Sequence, residues 1–514
     1  ELILGAAPLP AWTHGVERFD LARDAVRNVT GFDLPPVLQL ALFLFIYIFL
    51  MGPVNYLLLR MLGRREFAWF TIPVFILVFT IFAYYTGFSI RGNDVTVNQV
   101  SVVQVWDGVD RARVDGVLGI LSPRRTTYDV LLHDDLNLRT IPNVGGTSSI
   151  AEMNITQGES YSADDIPVDA AIMTNFATSG YIPAPEISGQ ATWTLRGGLV
   201  SPRVNGEVTN GLPTGLLDVV ILANDQFYEM GDLAAGETQT FQMIVPLDRH
   251  VRSPLGNRVD PGRPVIYPGL PRGQTLSGVC LMSPGPNVVY ESLMAGQDFR
   301  CSGDGDDELK LRRRALIVAA MSNEIDRNGG RGSGVYMFGW SDAPPLDIEI
   351  PEYGQITDGT VLYIYEIPST IRATTPENIT VPPGFLSWTL IEQDQPNRLP
   401  DINADLSFQI TGNQGVALRF TPLPTVPLRE VEEAELFIDW RLGGARQIGL
   451  SFWNWDTQAW DLREITSDEQ TRFIIEVSEY IGPLNSVQVL VSSEDIASFQ
   501  IINSMTLTMR GSGS

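Results

Sequence analysis

The chain carries near its start one unbroken apolar run, Leu40-Ala41-Leu42-Phe43-Leu44-Phe45-Ile46-Tyr47-Ile48-Phe49-Leu50. The run lies inside a longer stretch without a charged side chain, from Leu34 to Leu59, and Phe67 to Ile90 repeats that property after a short break. Each stretch exceeds the roughly 20 residues that a helix needs to cross about 30 Å of hydrocarbon. A soluble helix of this length normally shows a polar stripe, which the quoted run lacks. We therefore predict a transmembrane helical hairpin at 34–91, with helices at 34–62 and 66–90; two buried helices of a soluble protein are the alternative.

The break between the two apolar stretches is basic, because it contains Arg60, Arg64 and Arg65. Loops rich in Lys and Arg stay on the cytoplasmic side of a membrane. The break is therefore expected to face the cytoplasm, and both 1–33 and everything after Arg91 are expected outside it.

The first apolar stretch contains a Gly52-Pro53 pair and, two residues later, the amide side chain of Asn55. Gly and Pro weaken a helix locally, and an amide within the membrane normally finds a partner on a neighbouring helix. These three residues are the candidates for docking another subunit, with simple packing of the hairpin as the alternative. Neither stretch contains Asp, Glu, Lys or His, so transport by this chain alone is not expected.

Composition limits what the remainder can be. The chain has 514 residues, a formal charge of −25, 18% charged residues, 47 Gly and 34 Pro. This length suggests three or four domains, and the Gly and Pro content suits short strands and turns. A surface this acidic cannot neutralise phosphates, so nucleic acid is not an expected partner, whereas the lipid bilayer is.

Metal and cofactor chemistry has little support in the composition. Only Cys280 and Cys301 are present, together with three scattered histidines, and no cofactor or metal is expected from them. The two cysteines lie in the region predicted to be outside the cytoplasm, where a disulfide can persist. We predict that they form a bridge; two separate buried thiols are the alternative.

Strand patterns dominate after the apolar stretches, beginning with the alternating segment Val95 to Val105. The rhythm of Trp193 to Val245 resembles immunoglobulin-like bacterial surface modules, and the region from Thr374 suits a jelly roll. The predicted fold class is a membrane-anchored, mainly-β protein. The predicted segments are an extracytoplasmic amphipathic segment at 1–33, the hairpin at 34–91, a β-rich domain at 92–190, an immunoglobulin-like sandwich at 191–250, a Gly/Pro-rich excursion with one helix (308–323) and returning strands at 251–373, and a jelly-roll sandwich at 374–514.

The C-terminal segment contains three tryptophans within eight residues, Trp453, Trp455 and Trp460. Some jelly rolls bind carbohydrate by stacking exposed aromatic rings on sugars, and this segment resembles such a carbohydrate-binding-like module. A Trp-rich hairpin also commonly fills its own core. Glycan stacking by these three residues is therefore one of two open interpretations.

The residues of the hairpin carry a family resemblance: Gly52-Pro53-Val54-Asn55-Tyr56-Leu57-Leu58-Leu59-Arg60, followed by Gly63-Arg64-Arg65-Glu66-Phe67-Ala68-Trp69-Phe70-Thr71-Ile72-Pro73. This pattern resembles a family of uncharacterised bacterial membrane proteins that are often encoded beside ABC-type exporters. The resemblance implies a bacterial cell membrane location, extracytoplasmic β domains and an exporter as one candidate partner. It implies no catalytic residue. Members have a full upstream domain that this chain lacks, so the resemblance implies either a processed product or part of a longer precursor.

Three functions compete at this point. The first is a non-enzymatic membrane-anchored scaffold or accessory subunit that contacts other membrane or cell-surface proteins. The second is a cell-surface glycan-binding protein, and the third is an extracytoplasmic hydrolase. The sequence has no Gly-x-Ser-x-Gly elbow, P-loop or His-Glu-x-x-His motif, so the scaffold ranks first and no catalytic residue is assigned.

Overall fold

The computed structural model describes residues 10–27, 37–141, 154–245, 308–321, 332–393 and 408–513, apart from short breaks within these ranges, together with Leu293 and Leu406. Within these residues the chain is mainly β, with its helices concentrated before residue 92. The mainly-β class predicted from the sequence is therefore confirmed.

The helical segments are α-helices, one π-helical turn and short 3-10 turns. The helices are α1 (Phe19–Arg27), α2 (Val37–Phe49), α3 (Asn55–Met61), α4 (Ala68–Arg91) and α5 (Glu308–Ala320), with a π-helical turn at Leu50–Val54 between α2 and α3. The 3-10 turns are Ala11–His14, Arg65–Phe67, Pro383–Phe385, Ser478–Tyr480 and Pro483–Asn485.

The strands fall into two groups along the chain. The first group is β1 (Val95–Trp106), β2 (Arg111–Leu121), β3 (Thr126–Leu132), β4 (Asp135–Thr140), β5 (Asn154–Gln157), β6 (Tyr161–Val168), β7 (Met173–Pro183), β8 (Ile187–Leu195), β9 (Arg203–Asn210), β10 (Leu216–Ala223), β11 (Gln226–Leu233), β12 (Thr238–Ile244), β13 (Val335–Ser341), β14 (Ile348–Glu349), β15 (Gln355–Ile367) and β16 (Ser369–Ala373). The second group is β17 (Ile379–Val381), β18 (Leu386–Gln393), β19 (Phe408–Thr411), β20 (Gly415–Pro422), β21 (Leu428–Gly443), β22 (Ile448–Asn454), β23 (Ala459–Thr466), β24 (Gln470–Ile475), β25 (Ile481–Gly482), β26 (Ser486–Ser492) and β27 (Phe499–Gly513).

One eight-stranded sheet organises the first group, in the order β11-β10-β13-β15-β1-β2-β7-β4. Its neighbours are antiparallel except for β1 and β15, which run parallel from Val95 beside Gln355 to Trp106 beside Glu366. The sheet takes strands from 92–190, 191–250 and 251–373, so these three predicted segments share one sheet. The predicted sandwich at 191–250 does not close on itself, because β10 pairs with β13 across the chain.

The two faces of this sheet are covered differently. One face shares a core with two four-stranded sheets, β12-β9-β8-β16 and β14-β3-β6-β5. The other face is covered by α1, α5 and the turn Ala11–His14, which bury Leu362, Ile364 and Phe338. The buried layers are therefore sheet against sheet on one side and helix against sheet on the other.

The second group forms two antiparallel sheets that pack face to face. The orders are β17-β27-β21-β24, with β19 beside β27, and β18-β20-β26-β22-β23, with β25 beside β26. Phe452 and Phe473 stack between the two sheets with ring centroids 5.0 Å apart. The boundary predicted at residue 374 falls between β16, which pairs with β8, and β17, which pairs with β27. A C-terminal β-sandwich is present, and its jelly-roll connectivity stays a prediction.

The apolar helices contact each other through aromatic rings. Phe43 on α2 lies 5.6 Å from Phe79 and 5.8 Å from Phe82 on α4, measured between ring centroids. Among the described residues, length and composition would allow one helix to cross a membrane, Ala41–Met61, and a shorter apolar helix covers Ala68–Tyr84. The span predicted at 34–62 is thus a candidate by this measure, and the two-span hairpin stays a prediction.

The segment before the apolar helices is part of the folded body. Helix α1 buries Ala22, Ala25 and Val26 completely, against α5 and strand β2. Gly119 on β2 makes this contact possible, because a Cβ at that position would collide with the Val26 side chain. The amphipathic pattern therefore faces the protein's own sheet.

Trp12 fixes the turn that precedes α1. Its indole is 2% exposed and meets the edges of Tyr336 at 5.1 Å and Phe338 at 5.2 Å, measured between ring centroids. Gln104 on β1 donates a hydrogen bond of 2.7 Å to the Trp12 carbonyl oxygen. The turn is therefore held by both an aromatic cluster and a buried amide.

We expect Trp12→Ala to lower the free energy of unfolding of the body by about 3–5 kcal/mol, because a large buried ring is removed. The measurement is the denaturation midpoint of the purified full chain in detergent. The control is Leu484→Ala, at a side chain 64% exposed, which we expect to shift stability by no more than about 0.5 kcal/mol. Equal shifts for both variants would contradict the docked position of the turn.

Candidate functional site

A cleft of about 470 Å³ lies where the N-terminal turn, the eight-stranded sheet and the C-terminal sandwich meet. Clefts between structural units are common positions for binding sites. Its walls come from the turn at 10–13, from the ends of β1 and β15, from the start of β13 and from Thr425 in the sandwich. These segments are far apart in the sequence, so the cleft exists only in the folded chain.

The first wall is stabilised by a guanidinium group behind it. Arg113 on β2 donates hydrogen bonds to the carbonyl oxygens of Thr13 at 3.1 Å and His14 at 2.7 Å. Asp115 accepts a hydrogen bond of 2.8 Å from Arg113 Nε and is 3% exposed. Gly15 crosses directly above this carboxylate with a positive φ of 78°, in a space where a Cβ would collide with Asp115. This arrangement holds the wall in place.

The Asp115 carboxyl lies in a buried environment of low polarity and faces the positive charge of Arg113. Burial raises the pKa of the Asp115 carboxyl above its ordinary value of 3.8, while the charge and hydrogen bond of Arg113, and the charge of Arg139, lower it. Desolvation outweighs the attraction of the two arginines. The carboxylate is therefore a positioning group for Arg113 and lies outside the cleft.

The second wall carries acidic and aromatic side chains at the end of the parallel pair. Trp106 of β1 lies beside Glu366 of β15 in register, and both line the cleft together with Asp107. Desolvation by the surrounding walls raises the pKa of Glu366. Burial, followed by the charge of Asp107, raises the pKa of Tyr365 to about 12, and its hydroxyl donates to Asp107 at 3.4 Å. Tyr365 is therefore a neutral donor at ordinary pH.

The chemistry of the cleft is acidic and aromatic. Its lining contains Glu366, Asp107, Trp106 and Tyr336 and no Lys, Arg or His. No group of three or more His, Cys, Asp or Glu residues that could hold a metal ion occurs in the part of the chain that the structure describes. The arrangement can attract a cation and contact an apolar body.

The three predicted docking residues, Gly52, Pro53 and Asn55, lie close together where the π-helical turn meets α3. Pro53 lies inside the π-helical turn Leu50–Val54, so the predicted local weakening at Gly52 and Pro53 coincides with a change of helix type. Asn55 is 5% exposed and, with Leu59, forms the buried side of α3. Gly52 has open space where a Cβ would project. Of these three, Gly52 is therefore the one that leaves room for another molecule.

The three tryptophans do not share one platform. Trp453 and Trp460 are a cross-strand pair whose ring planes meet at 73°, with centroids 5.3 Å apart. Trp455 instead packs over Gly482, and its backbone N–H donates to the Glu479 carbonyl oxygen at 2.8 Å. All three side chains are half-buried. Glycan stacking by these residues stays a prediction, without a coplanar arrangement in its favour.

The predicted disulfide between Cys280 and Cys301 lies outside the described residues. The sequence reasoning missed the cleft, whose residues are scattered from Pro10 to Thr425. The one local signal is Trp106-Asp107-Gly108, a turn after a strongly alternating strand, and nothing in the sequence indicates that it meets Glu366.

Two family models match parts of the chain. Residues 199–368 match Domain of unknown function (DUF8725), and residues 380–511 match Domain of unknown function (DUF8815). The second match corresponds closely to the C-terminal sandwich, and the first contains β9–β13 and β15. No curated protein matches the chain.

Similar solved structures include the yeast delta-COP-I mu-homology domain. Its complex with the Dsl1 WxWxV peptide has 9% identity and a TM-score of 0.26, covering 54% of this chain and 98% of that chain. The domain alone has 9% identity and a TM-score of 0.25, with 55% and 98% covered. Accessory secretory protein 1,2 and 3 in Streptococcus pneumoniae has 12% identity and a TM-score of 0.15, with 23% and 88% covered. Scores this low carry no conclusion about fold or function.

The burial of Asp115 predicts a pH dependence. Because its pKa is raised in the folded chain, its contribution to stability is full below its ordinary pKa of 3.8 and is lost as the pH rises through the raised value. The unfolding free energy of the wild type should therefore fall relative to that of Asp115→Asn as the pH rises from below 3.8. Denaturation midpoints of both proteins across a pH series measure this difference.

The matched control is Asp169→Asn, which removes a carboxylate that is 58% exposed and paired with Arg125. An equal pH dependence in the two variants would show that burial of Asp115 is not the cause.

Proposed function

We propose that the protein is a non-enzymatic scaffold or accessory subunit that is anchored in a bacterial cell membrane by both apolar helices, with most of its chain outside the cytoplasm. One observation carries the proposal: the chain before the apolar helices and the chain after them belong to one packed body. Trp12 and α1 lie against β1, β2 and β13, which follow the helices in sequence. The helical region therefore begins and ends at the same folded body.

The segments that connect the apolar helices to the body are short, so both ends of the helical region must lie close to the body. Residues 28–36 join α1 to α2, and nine residues reach at most about 30 Å when fully extended. Only residues 92–94 separate α4 from β1. An extended, unpaired backbone is not tolerated in hydrocarbon. If Ala41–Met61 crosses the membrane, the chain must return through a second helix.

Helix α4 has the length for that return. Its 24 residues correspond to about 36 Å at 1.5 Å per residue, which exceeds the hydrocarbon thickness of about 30 Å. The outer surfaces of the helices are apolar, with Phe45 63% exposed on α2 and Leu77 61% exposed on α4. A continuous apolar surface of this kind is stable in lipid and unfavourable in water. Lipid is therefore the first partner of this region.

The orientation follows from charge. Arg60 and Arg65 stand at the turn between the helices, and the body carries most of the acidic residues. The positive-inside tendency places that turn in the cytoplasm and the β body outside. Partners are then other membrane or cell-surface proteins, an ABC-type exporter being one candidate.

The scaffold role is supported by how the body uses its buried charges. Arg312 pairs with Asp358 at 3.2 Å, and Arg313 pairs with Asp218 at 2.5 Å while lying over the Trp340 ring. Both arginines are buried and fix α5 on the sheet. The glycan-binding and hydrolase alternatives would need an exposed aromatic platform or a catalytic pair, respectively.

Labelling of single cysteines tests the anchor. In a Cys280→Ser, Cys301→Ser background, we expect His14→Cys and Leu484→Cys to react with a membrane-impermeant maleimide on intact cells. We expect Gly63→Cys, in the turn between the helices, to react only after permeabilisation. The measurement is the fraction of full-length chain labelled under each condition.

The His14 and Leu484 positions control for each other, since both side chains are exposed on the same body. Labelling of one but not the other, or of Gly63→Cys on intact cells, would contradict the two-span arrangement.

The subunit role is tested at Gly52. We expect Gly52→Leu to fold normally, because the space around Gly52 is open and Leu favours helix over Gly by several tenths of a kcal/mol or more. A partner helix packed there would be displaced, so a subunit recovered stoichiometrically in mild detergent should be lost. The control is Leu58→Phe, at a side chain 52% exposed on α3. Recovery of the same subunit with both variants would contradict docking at this turn.

A further inference from the structure

The carboxylate of Glu366 stands in the cleft without a countercharge. No described residue forms an ion pair or hydrogen bond with it in the structure, and desolvation alone raises its pKa. A partly desolvated carboxylate at an exposed position is stabilised by a cation that enters the same space. The site is therefore complementary to a positive group that the described part of the chain does not supply.

The neighbouring side chains add to this complementarity. Trp106 lies beside Glu366 in the parallel register, and Asp107 follows it at the mouth of the cleft. A cation near the face of an indole gains attraction from the ring, and a nearby carboxylate adds a charge-assisted hydrogen bond. The planar guanidinium group of arginine is suited to both contacts at once.

The surroundings favour a polypeptide as the source of that cation. The cleft of about 470 Å³ falls in the size range of sites that bury ligands of drug size, roughly 300–1,000 Å³, which is room for an arginine and parts of its neighbours. Apolar surface from Trp12, Tyr336 and Ile371 lines the remainder. Residues 1–9, which lead into the rim at Pro10, contain no basic side chain that could occupy the site.

We propose that this cleft binds an arginine side chain of a partner polypeptide, with Glu366 pairing with the guanidinium and Trp106 lying against its plane. The net charge of −25 attracts such a segment from a distance. The inference deepens the proposed scaffold role by naming the chemistry of the partner. Binding of arginine is tested on the solubilised full chain, so a negative result there leaves the labelling test of the anchor unaffected.

The experiment uses the hexapeptide Gly-Ala-Leu-Arg-Ala-Gly amide, carrying fluorescein on its N-terminal amine, and measures its fluorescence anisotropy against the full chain in detergent. We expect saturable binding that weakens with salt. Replacing the arginine by citrulline, which is neutral and of the same shape, should weaken binding about tenfold or more, because a charge-assisted pair is lost. Trp106→Leu should weaken binding about two- to fivefold.

The decisive variant is Glu366→Gln, which is isosteric and lies at an exposed position, so folding is preserved. We expect it to weaken the arginine peptide about tenfold or more and to leave the citrulline peptide unchanged. The control is Glu349→Gln, which makes the same change in net charge at an exposed position on β14. We expect no loss of binding in that variant.

Three results would overturn the proposal. The first is equal affinity for the arginine and citrulline peptides, and the second is equal weakening by Glu366→Gln and Glu349→Gln. The third is binding of acetyl-arginine amide as tightly as the peptide, which would assign the cleft to a small organic cation. Absence of peptide binding at millimolar concentration also counts against it.

Discussion

The structure depends on the docking of the first described residues onto a sheet that is formed much later in the chain. Trp12 lies against Tyr336 and Phe338, and α1 lies across β2. Because the apolar helices lie between these two pieces in sequence, this contact makes the helical region a closed excursion from one body. The position of the cleft and the role of Arg113 both follow from it.

The same contact explains why the cleft lies where it does. The docked turn forms one wall, the ends of the parallel strands β1 and β15 form the other, and the C-terminal sandwich contributes Thr425 at the rim. The backbone hydrogen bonds of regular secondary structure do not neutralise an acidic side chain such as Glu366 at this junction. The proposed partner would use that charge, whereas the carboxylates of Asp115 and Asp218 pair with arginines within the fold.

Local sequence patterns predicted single helices and strands, whose residues are neighbours in the chain. The uncharged stretches became apolar helices, the alternating segment from Val95 became β1, and the predicted helix at 308–323 begins at Glu308 and ends at Ala320. The boundary predicted at residue 374 falls between β16 and β17. Long-range pairing was not predictable from such patterns, since β10 beside β13 depends on residues more than a hundred positions apart. Strands from either side of the predicted divisions at 190 and 250 share one sheet, which periodicity could not indicate because it gives the face of a strand but not its neighbour.

The parallel pairing of β1 with β15 also sets the order in which the molecule can be made. Val95 and Gln355 are partners although 260 positions separate them, so β1 leaves the ribosome long before its neighbour exists. Closing so long a loop is entropically costly and slow. The bilayer-seeking helices are complete by residue 91, whereas the sheet waits for residue 367. The apolar helices are therefore synthesised before the body can assemble, and the segment around Trp12 waits for an acceptor surface that is completed only with β13 and β15.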